Sequence, residues 1–178
     1  MTTHAGQPSA SIRRARDDDA CKIAEVHDAS SRVIYDGILP DEVLAYFSID
    51  RREALWREVL TDDTTTTFLL EQDGGLIGFT NLGPTRDADQ DPTLTGEITS
   101  IYLDPAFWGQ GFGKTLCLHA LDHLHAQGFV AASLWVIDQN HRARSFYEQL
   151  GFVLDGAEKT TPMHTGQRRE VRYTLRLV

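Results

Sequence analysis

Apolar residues recur along the chain with two periods, one typical of helices and one typical of strands. From residues 114 to 127 they repeat every three to four positions, which predicts an amphipathic helix. Residues 170–178 instead alternate apolar and polar side chains, as a strand with one buried face does. The alternation fails at residues 97–103, where Ile98 and Ile101 break it, and this predicts a bulged strand or one that is buried on both faces.

The other segments continue this mixture of helices and strands. Asp73, Gly74 and Gly75 form a turn signal between two apolar runs, which predicts an antiparallel hairpin. The fold class is therefore α/β of the α+β type, with one domain at residues 11–178 behind a flexible tail at residues 1–10. Strands are predicted at 12–15, 64–71, 76–82, 97–103, 130–137, 152–157 and 170–178, and helices at 17–27, 41–47, 49–60, 114–127 and 140–150.

Composition and charge narrow the class of protein. The chain has 178 residues, of which 41% are hydrophobic and 24% charged, as expected for one globular domain with a sizeable core. Its net charge of −9 would repel a polyanion, so no nucleic-acid partner is expected. Residues 1–11 are polar and no long apolar run follows, which predicts neither a signal peptide nor a membrane span, and hence a cytoplasmic location without a membrane partner. Cys21 and Cys117 lack metal-type spacing, so we interpret them as buried thiols and expect no metal.

A glycine-rich segment between a predicted strand and a predicted helix is the strongest candidate for a binding site. Gly109, Gly111 and Gly113 remove Cβ atoms where a backbone could approach an anion, and the helix that follows adds the positive end of its dipole. A simple connecting turn is the alternative, but three alternating glycines exceed what such a turn requires. The segment is therefore interpreted as a phosphate site.

Two familiar phosphate loops do not fit this spacing. A nucleoside-triphosphate loop would need a glycine where Trp108 stands, although Gly113-Lys114-Thr115 resembles the end of such a loop. A dinucleotide fingerprint that starts at Gly111 finds Leu116 in place of its last glycine. A nucleotide-binding transferase is therefore a weaker alternative.

Two sequence blocks in this region resemble signatures of the GNAT superfamily of N-acetyltransferases. Trp108-Gly109-Gln110-Gly111-Phe112-Gly113 resembles the acetyl-CoA signature R/Q-x-x-G-x-G/A, with Trp at the first position. Asn140, Ala143, Phe146 and Tyr147 before Leu150-Gly151-Phe152 resemble N-x-x-A-x-x-F/Y-Y-x-x-x-G-F. The resemblance implies an acetyl-CoA-dependent N-acetyltransferase that acts on a primary amine of a small molecule or peptide. It also implies a mixed, largely antiparallel sheet flanked by helices, with a splayed strand pair that holds acetyl-CoA.

The resemblance further assigns roles to individual residues. Glu97 would act as the base, through water, because an alkyl amine with a pKa near 10 is protonated at neutral pH. Tyr147 would donate a proton to the leaving thiolate. Glu97 could instead be a solvated carboxylate, Tyr147 a core aromatic, and Asn140 also the N-cap of its helix. The residues expected to contact acetyl-CoA are Ile101, Tyr102, Leu103, Trp108, Gly109, Gln110, Gly111, Phe112, Gly113, Lys114, Thr115 and Asn140.

The sequence says less about the acceptor. By resemblance, the wall of its site comes from the helices at residues 33–60 and from a late loop at residues 159–169. The negative net charge, with the acidic run at residues 87–91, mildly favours a cationic amine, although exposed aspartates are usually only solvated. The acyl group could be longer than acetyl, and a homodimer is compatible with the resemblance. A non-catalytic acyl-CoA sensor on the same fold is the alternative function.

Three histidines and a cysteine on the predicted helix at residues 114–127 invite a chemical interpretation. His119 and His123 have the spacing of a metal pair, but Ala120 stands where a zinc-protease motif needs glutamate. We interpret them, with His125, as a polar helix face, and Cys117 as core packing rather than a nucleophile.

Overall fold

The sheet of the computed structural model, which describes residues 10–163 and 166–178, confirms the predicted fold class. Its seven strands lie in the order β1-β2-β3-β4-β5-β7-β6, and β4 and β5 run parallel while the other neighbours are antiparallel. The predicted tail falls outside the described residues except for Ala10, which starts the first strand. The strands are β1 Ala10–Arg14, β2 Thr66–Gln72, β3 Gly75–Pro84, β4 Thr95–Leu103, β5 Ala131–Ile137, β6 Val153–Met163 and β7 Gly166–Arg176.

Five α-helices connect and cover the strands, close to the predicted positions except that α1 continues to Ile34, seven residues past its predicted end. Gly128, with φ of +93°, follows α4 as the predicted glycine stop. None of the helices in the described ranges combines the length and the apolar composition needed to cross a bilayer. The helices are α1 Ala20–Ile34, α2 Asp41–Tyr46, α3 Ile49–Leu60, α4 Phe112–Ala126 and α5 His141–Gln149.

The sheet is covered on both faces because successive residues of a strand point in opposite directions. On β2, Phe68 packs in one buried cluster with α4 and α5, whereas Leu69 packs in another with α1 and α3. Cys117 belongs to the first cluster and is fully buried, as predicted. Cys21 lies on the outer side of α1 and is exposed, so the prediction that both thiols are buried is wrong for this residue.

The three histidines of α4 do not form the polar face that was predicted. The rings of His119 and His123 pack edge-on against Phe68, with centroid distances of 4.5 Å and 4.9 Å. Desolvation there lowers the pKa of His123. Only His125 is exposed among the three, because His119 and His123 lie on the side of α4 that packs against Phe68 of β2.

The segment expected to be a late loop at residues 159–169 belongs largely to a long antiparallel strand pair. β6 and β7 pair from Val153 opposite Thr174 to Met163 opposite Gly166, with a register shift between Leu154 and Glu158. The hairpin extends the sheet past the end of β5. Paired strands thus occupy most of the segment where the sequence indicated a variable loop.

The acidic segment at residues 87–91 is not merely solvated. The buried guanidinium of Arg172 on β7 forms ion pairs with Asp87 at 3.0 Å, Asp89 at 2.7 Å and Asp155 at 2.6 Å. Hydrogen bonds, first of all to Asp89, raise the pKa of Arg172. These ion pairs link the acidic segment, which lies between β3 and β4, to β7 on the other side of β5.

The parallel strands β4 and β5 separate soon after they begin to pair. Thr95, Gly96 and Glu97 pair with residues 131–133, and from residue 98 onward β4 is not paired with β5 in the described structure. On its other side β4 carries the predicted bulge, because Ser100 lies opposite Asn81 and the register then shifts by one residue. This separation is the splayed strand pair that the sequence predicted.

Gly96 allows α4 to approach β4 closely at the last turns of the helix. A Cβ atom added at Gly96 would lie 2.5 Å from Cδ2 of Leu124, which is itself buried. We expect Gly96→Ala to lower the free energy of unfolding by about 1–3 kcal/mol, as overpacked core positions do. Gly75→Ala is the matched control, because its Cβ would lie at an ordinary 3.6 Å from the Gln72 carbonyl oxygen. Urea unfolding measures the free energy of unfolding of both variants. Equal values for the two would contradict this account of the packing at Gly96.

Candidate active site

Two cavities open between the separated strands, and they meet at α5. The larger cavity, of about 480 Å³, is lined by the glycine-rich segment, and the smaller, of about 330 Å³, contains Glu97. Volumes of this size suit small ligands. The residues that line both cavities are Ile34, Ile101, Tyr102, Asn140, Ala143 and Tyr147.

The glycine-rich turn gives the larger cavity an anion-binding end. Gly109 and Gly111 have φ of +76° and +88°, and a Cβ atom at either position would point into open space. Gly111 is the N-cap of α4, and the first intrahelical bond runs from Thr115 N to its carbonyl oxygen at 3.1 Å. The N–H groups that precede this bond have no partner within the helix and carry its positive dipole. These groups are able to bind a phosphate, and the phosphate site stays a prediction.

Trp108 and Arg142 form a stacked pair on the wall of the larger cavity. The Trp108 indole donates its Nε1–H to the Leu103 carbonyl oxygen at 2.8 Å, which fixes the ring. The Arg142 guanidinium lies 3.9 Å from the ring centroid, a cation–π contact. Lys114 lines the same cavity. The acetyl-CoA signature has Arg or Gln at the position of Trp108. In this chain the Arg142 guanidinium, from α5, lies beside that position.

Strand β4 supplies the long wall that the two cavities share. Ile101, Tyr102 and Leu103 all line the larger cavity. Their β3-facing side is paired, opposite residues 78–80, and their other side faces the gap to β5. Backbone groups on that side can hydrogen-bond an extended ligand as a neighbouring strand would. The physical cause is the separation of β4 from β5, and not the bulge of β4 toward β3.

Three residues of the predicted acetyl-CoA set have side chains that do not line either cavity. Gln110 donates its side-chain N–H to the Ala106 carbonyl oxygen at 3.2 Å. Phe112 packs against Phe107, with centroids 6.2 Å apart, and Thr115 donates to Gly111 at 3.3 Å. These side chains stabilise the turn itself.

Tyr147 stands where the two cavities join. Only 7% of the residue is exposed, and its ring packs edge-on against Phe146 and Phe152 at 5.2 Å and 5.7 Å. Burial raises the pKa of Tyr147 well above its usual value of 10, so the phenol stays protonated. Among the described residues its hydroxyl has no hydrogen-bond partner, so it is available to a ligand. Packing and proton donation are compatible at this position.

Asn140 fixes the start of α5, as one of its two predicted roles requires. Its side-chain oxygen accepts a hydrogen bond from Ala143 N at 3.1 Å. The residue also lines both cavities, so its amide nitrogen can donate to a ligand there. The cap thereby sets the direction in which α5 presents Tyr147.

Glu97 is not the solvated carboxylate that was the alternative interpretation. It is 2% exposed and lies at the last rung of the parallel ladder, opposite Ser133. The Arg86 side chain donates to it through Nη2 at 2.6 Å and Nε at 3.0 Å, and the Arg86 backbone N–H donates at 3.2 Å. These bonds raise the pKa of Arg86. Glu97 therefore holds a buried negative charge on the wall of the smaller cavity, with a largely exposed cation as its partner.

Two neutral phenols line the side of the smaller cavity toward α1, and a neutral imidazole packs against one of them. The Tyr35 and Tyr102 hydroxyls lie 3.0 Å apart, and burial raises the pKa of both. The His27 ring lies behind them, 4.3 Å from Tyr102, and burial lowers its pKa to about 3. Because Trp56 donates to His27 Nδ1 at 3.1 Å, the ring carries its proton on Nε2.

Several residues that line the cavities were missed by the analysis of motifs. Arg142 occupies a variable position inside the second block, so the pattern gave it no role. The others lie outside both blocks and reach the site only through the fold. They are Tyr35 after α1, Arg86 between β3 and β4, Trp135 on β5, and Arg168 and Glu170 on β7.

Comparison with known proteins places the chain in a family. The model of the acetyltransferase (GNAT) family matches residues 32–152, more than half of the chain. An uncharacterized N-acetyltransferase, YuaI of Bacillus subtilis, is 30% identical over 130 residues, which cover 72% of each chain. The chain therefore belongs to the GNAT family of acetyltransferases, and the resemblance inferred from the two blocks is confirmed. Membership of this acetyltransferase family supports acetyl-CoA as the acyl donor that the resemblance implied.

Other relatives share parts of the sequence or the fold. Mycothiol acetyltransferase of Thermomonospora curvata is 37% identical over 107 residues, or 57% of this chain, but the match covers 33% of that protein. The chain thus spans about a third of the length of that relative. The solved PaiA N-acetyltransferase of Thermoplasma acidophilum, in complex with coenzyme A, has a TM-score of 0.70 and 22% identity over 94% of this chain and 99% of that one. That likeness shows that the fold is shared.

Arg142 offers a test of the larger cavity as the CoA site. We expect Arg142→Gln to weaken CoA binding by roughly tenfold or more, because a hydrogen bond to a charged group contributes about 1.5–3 kcal/mol. Calorimetric titration measures the dissociation constant. Arg176→Gln, on an exposed arginine outside both cavity linings, is the control and should bind as the wild type does. Unchanged affinity in Arg142→Gln would remove this residue from the site.

Proposed function

We propose that the protein transfers the acetyl group of acetyl-CoA to a primary amine of a small molecule or peptide, by direct attack of the amine on the thioester. The observation that carries the proposal is the position of Tyr147, which lines both cavities and whose phenol stays protonated because its pKa is raised. One cavity has the anion-binding turn of an acyl-CoA site and the other has a buried carboxylate. The reaction would take place where they meet.

The larger cavity would hold the acyl donor. The N–H groups at the start of α4, with Arg142 beside them, would bind the pyrophosphate. The gap-facing edge of β4 would pair with the amide groups of the pantetheine arm, and Asn140 would add a side-chain hydrogen bond. The thioester would then lie near Tyr147, at the junction with the smaller cavity.

The chemical step requires the amine to lose a proton and the thiolate to gain one. Attack of the neutral amine forms the new C–N bond, and the C–S bond then breaks with release of the CoA thiolate. The Tyr147 hydroxyl would protonate that sulfur as it leaves. Its raised pKa means that the proton is present throughout the neutral range, although burial also makes it a weaker acid.

Glu97 would accept the amine proton through water. It lines the smaller cavity, its buried charge is retained by Arg86, and it lies at the point where β4 leaves β5. The proton would then pass through water to solvent. Arg86 would hold the carboxylate in place for this role through its three hydrogen bonds.

Replacement of Glu97 tests the proposed base. Glu97→Gln should lower kcat by roughly 10²-fold at neutral pH and leave CoA affinity unchanged, because Glu97 lies outside the lining of the larger cavity. The deficit should shrink as the pH rises toward 10, where the amine loses its proton without help. The assay follows release of the CoA thiol on a panel of amines across this pH range.

Arg86→Gln is the matched control, since it breaks the same ion pair and leaves the carboxylate in place. If Glu97 is the base, Glu97→Gln should be much slower than Arg86→Gln. Equal deficits in the two variants, constant across pH, would mean that Glu97 serves only to anchor Arg86.

Replacement of Tyr147 separates proton donation from packing. Tyr147→Phe keeps the ring against Phe146 and Phe152, and its thermal stability should be almost that of the wild type. If the hydroxyl protonates the leaving thiolate, kcat should fall by roughly 10²-fold or more. Tyr147→Ala should lose about 3–5 kcal/mol of stability because it empties an aromatic site in the core. Near-normal turnover in the Phe variant would leave Tyr147 with a packing role alone.

A further inference from the structure

The smaller cavity contains an arginine whose hydrogen-bonding capacity is only partly used in the described structure. Arg168 lies on β7, opposite Thr161 of β6, and its side chain faces the cavity. Its Nη2 donates to Glu170 at 3.2 Å, whereas its Nε is shielded from solvent without a hydrogen-bond partner in the described structure. A buried donor without a partner is unfavourable, and few native groups are left so. Because 31% of the Arg168 side chain is exposed, a ligand in the cavity can accept from the accessible part of the guanidinium group beside this nitrogen.

The local charges around the smaller cavity allow an anion to bind there, in spite of the negative net charge of the chain. The Glu97 carboxylate is already paired with Arg86, and Glu170 is shared with Arg168. The Lys159 ammonium adds a further cation, 4.1 Å from the centroid of the Trp135 ring that lines the cavity. The two carboxylates are thus matched by two guanidinium groups, with a lysine beside them. The acidic segment that contributes to the net charge is bound by Arg172 instead.

The position of Arg168 relative to Tyr147 fixes the orientation of a bound acceptor. Arg168 and Glu170 line only the smaller cavity, whereas Tyr147 lines both. A molecule held at Arg168 therefore has its other end free to reach the junction. A cavity of about 330 Å³ is at the small end of the range for ligand sites, which suits a molecule of amino-acid size.

We propose that the acceptor is a small primary amine that also carries a carboxylate, as a free amino acid does, and that Arg168 binds this carboxylate while the amine faces Tyr147. The inference rests on the proposed acetyl transfer and adds the class of acceptor. A guanidinium suits a carboxylate because its planar N–H groups match both oxygens. The local charges thus reverse the mild preference for a purely cationic amine that the net charge indicated.

Matched pairs of acceptors test the proposal. Each of the common L-amino acids is compared with its amide, which keeps the amine and the side chain but has no carboxylate. For the acids that the wild type accepts, kcat/KM should exceed that of the amide by roughly tenfold or more. Arg168→Gln should lose this preference by slowing the acid and sparing the amide, and Arg168→Lys should retain part of it. Equal use of acids and amides by the wild type, or equal losses for both in Arg168→Gln, would overturn the proposal.

Arg169→Gln is the matched control on the neighbouring position of β7. Its side chain is half exposed on the opposite face of the strand, where it pairs with Glu158, so the acid preference should be unchanged.

A binding measurement keeps this inference separate from the proposed function. The same acids and amides are titrated calorimetrically into the protein saturated with CoA. If no amine is acetylated, the transfer reaction is wrong, but tighter binding of acids that disappears in Arg168→Gln would still support the carboxylate site. If amines are acetylated and acids bind no more tightly than amides, the carboxylate site is wrong and the transfer reaction stands.

Discussion

The separation of β4 from β5 is the constraint on which the rest of the site depends. The strands pair at residues 95–97 of β4 and then diverge, with α4 seated against Gly96 at the paired end. The divergence leaves backbone groups of β4 without a strand partner, which is unfavourable unless a ligand or water satisfies them. It also opens the space that both cavities occupy. Glu97, as the last paired residue, is thereby held at the base of the opening.

The geometry of α5 explains the spacing of residues in the second sequence block. Asn140, Ala143 and Tyr147 are spaced by three and four residues, so they lie along one side of the helix and all line both cavities. Arg142 projects from the adjacent side toward Trp108. A single short helix, fixed by its own N-cap, therefore places a candidate acid, a cation and a hydrogen-bonding amide around one junction.

The electrostatics of the site are set by pairs of side chains and not by the net charge. Arg172 forms ion pairs with the acidic segment, Arg86 is paired with Glu97, and the partly exposed guanidinium of Arg168 lines the smaller cavity. Exposed charges at a distance are screened, whereas buried pairs interact strongly at short range. The composition of a chain is thus a poor guide to the charge of the ligand that its cavity accepts.

The sequence by itself determined the features that depend on local spacing. The order of the elements, the glycine turn before α4, the cap of α5 and the bulge in β4 were all predicted, because each depends on residues a few positions apart. The tertiary structure alone decided which distant residues share a cavity, as for Arg86 with Glu97 and Arg168 with Tyr147. It also decided that Cys21 is exposed and that residues 159–169 belong largely to a strand pair. Such outcomes depend on how strands pair and helices pack, and no local period in the sequence encodes those long-range contacts.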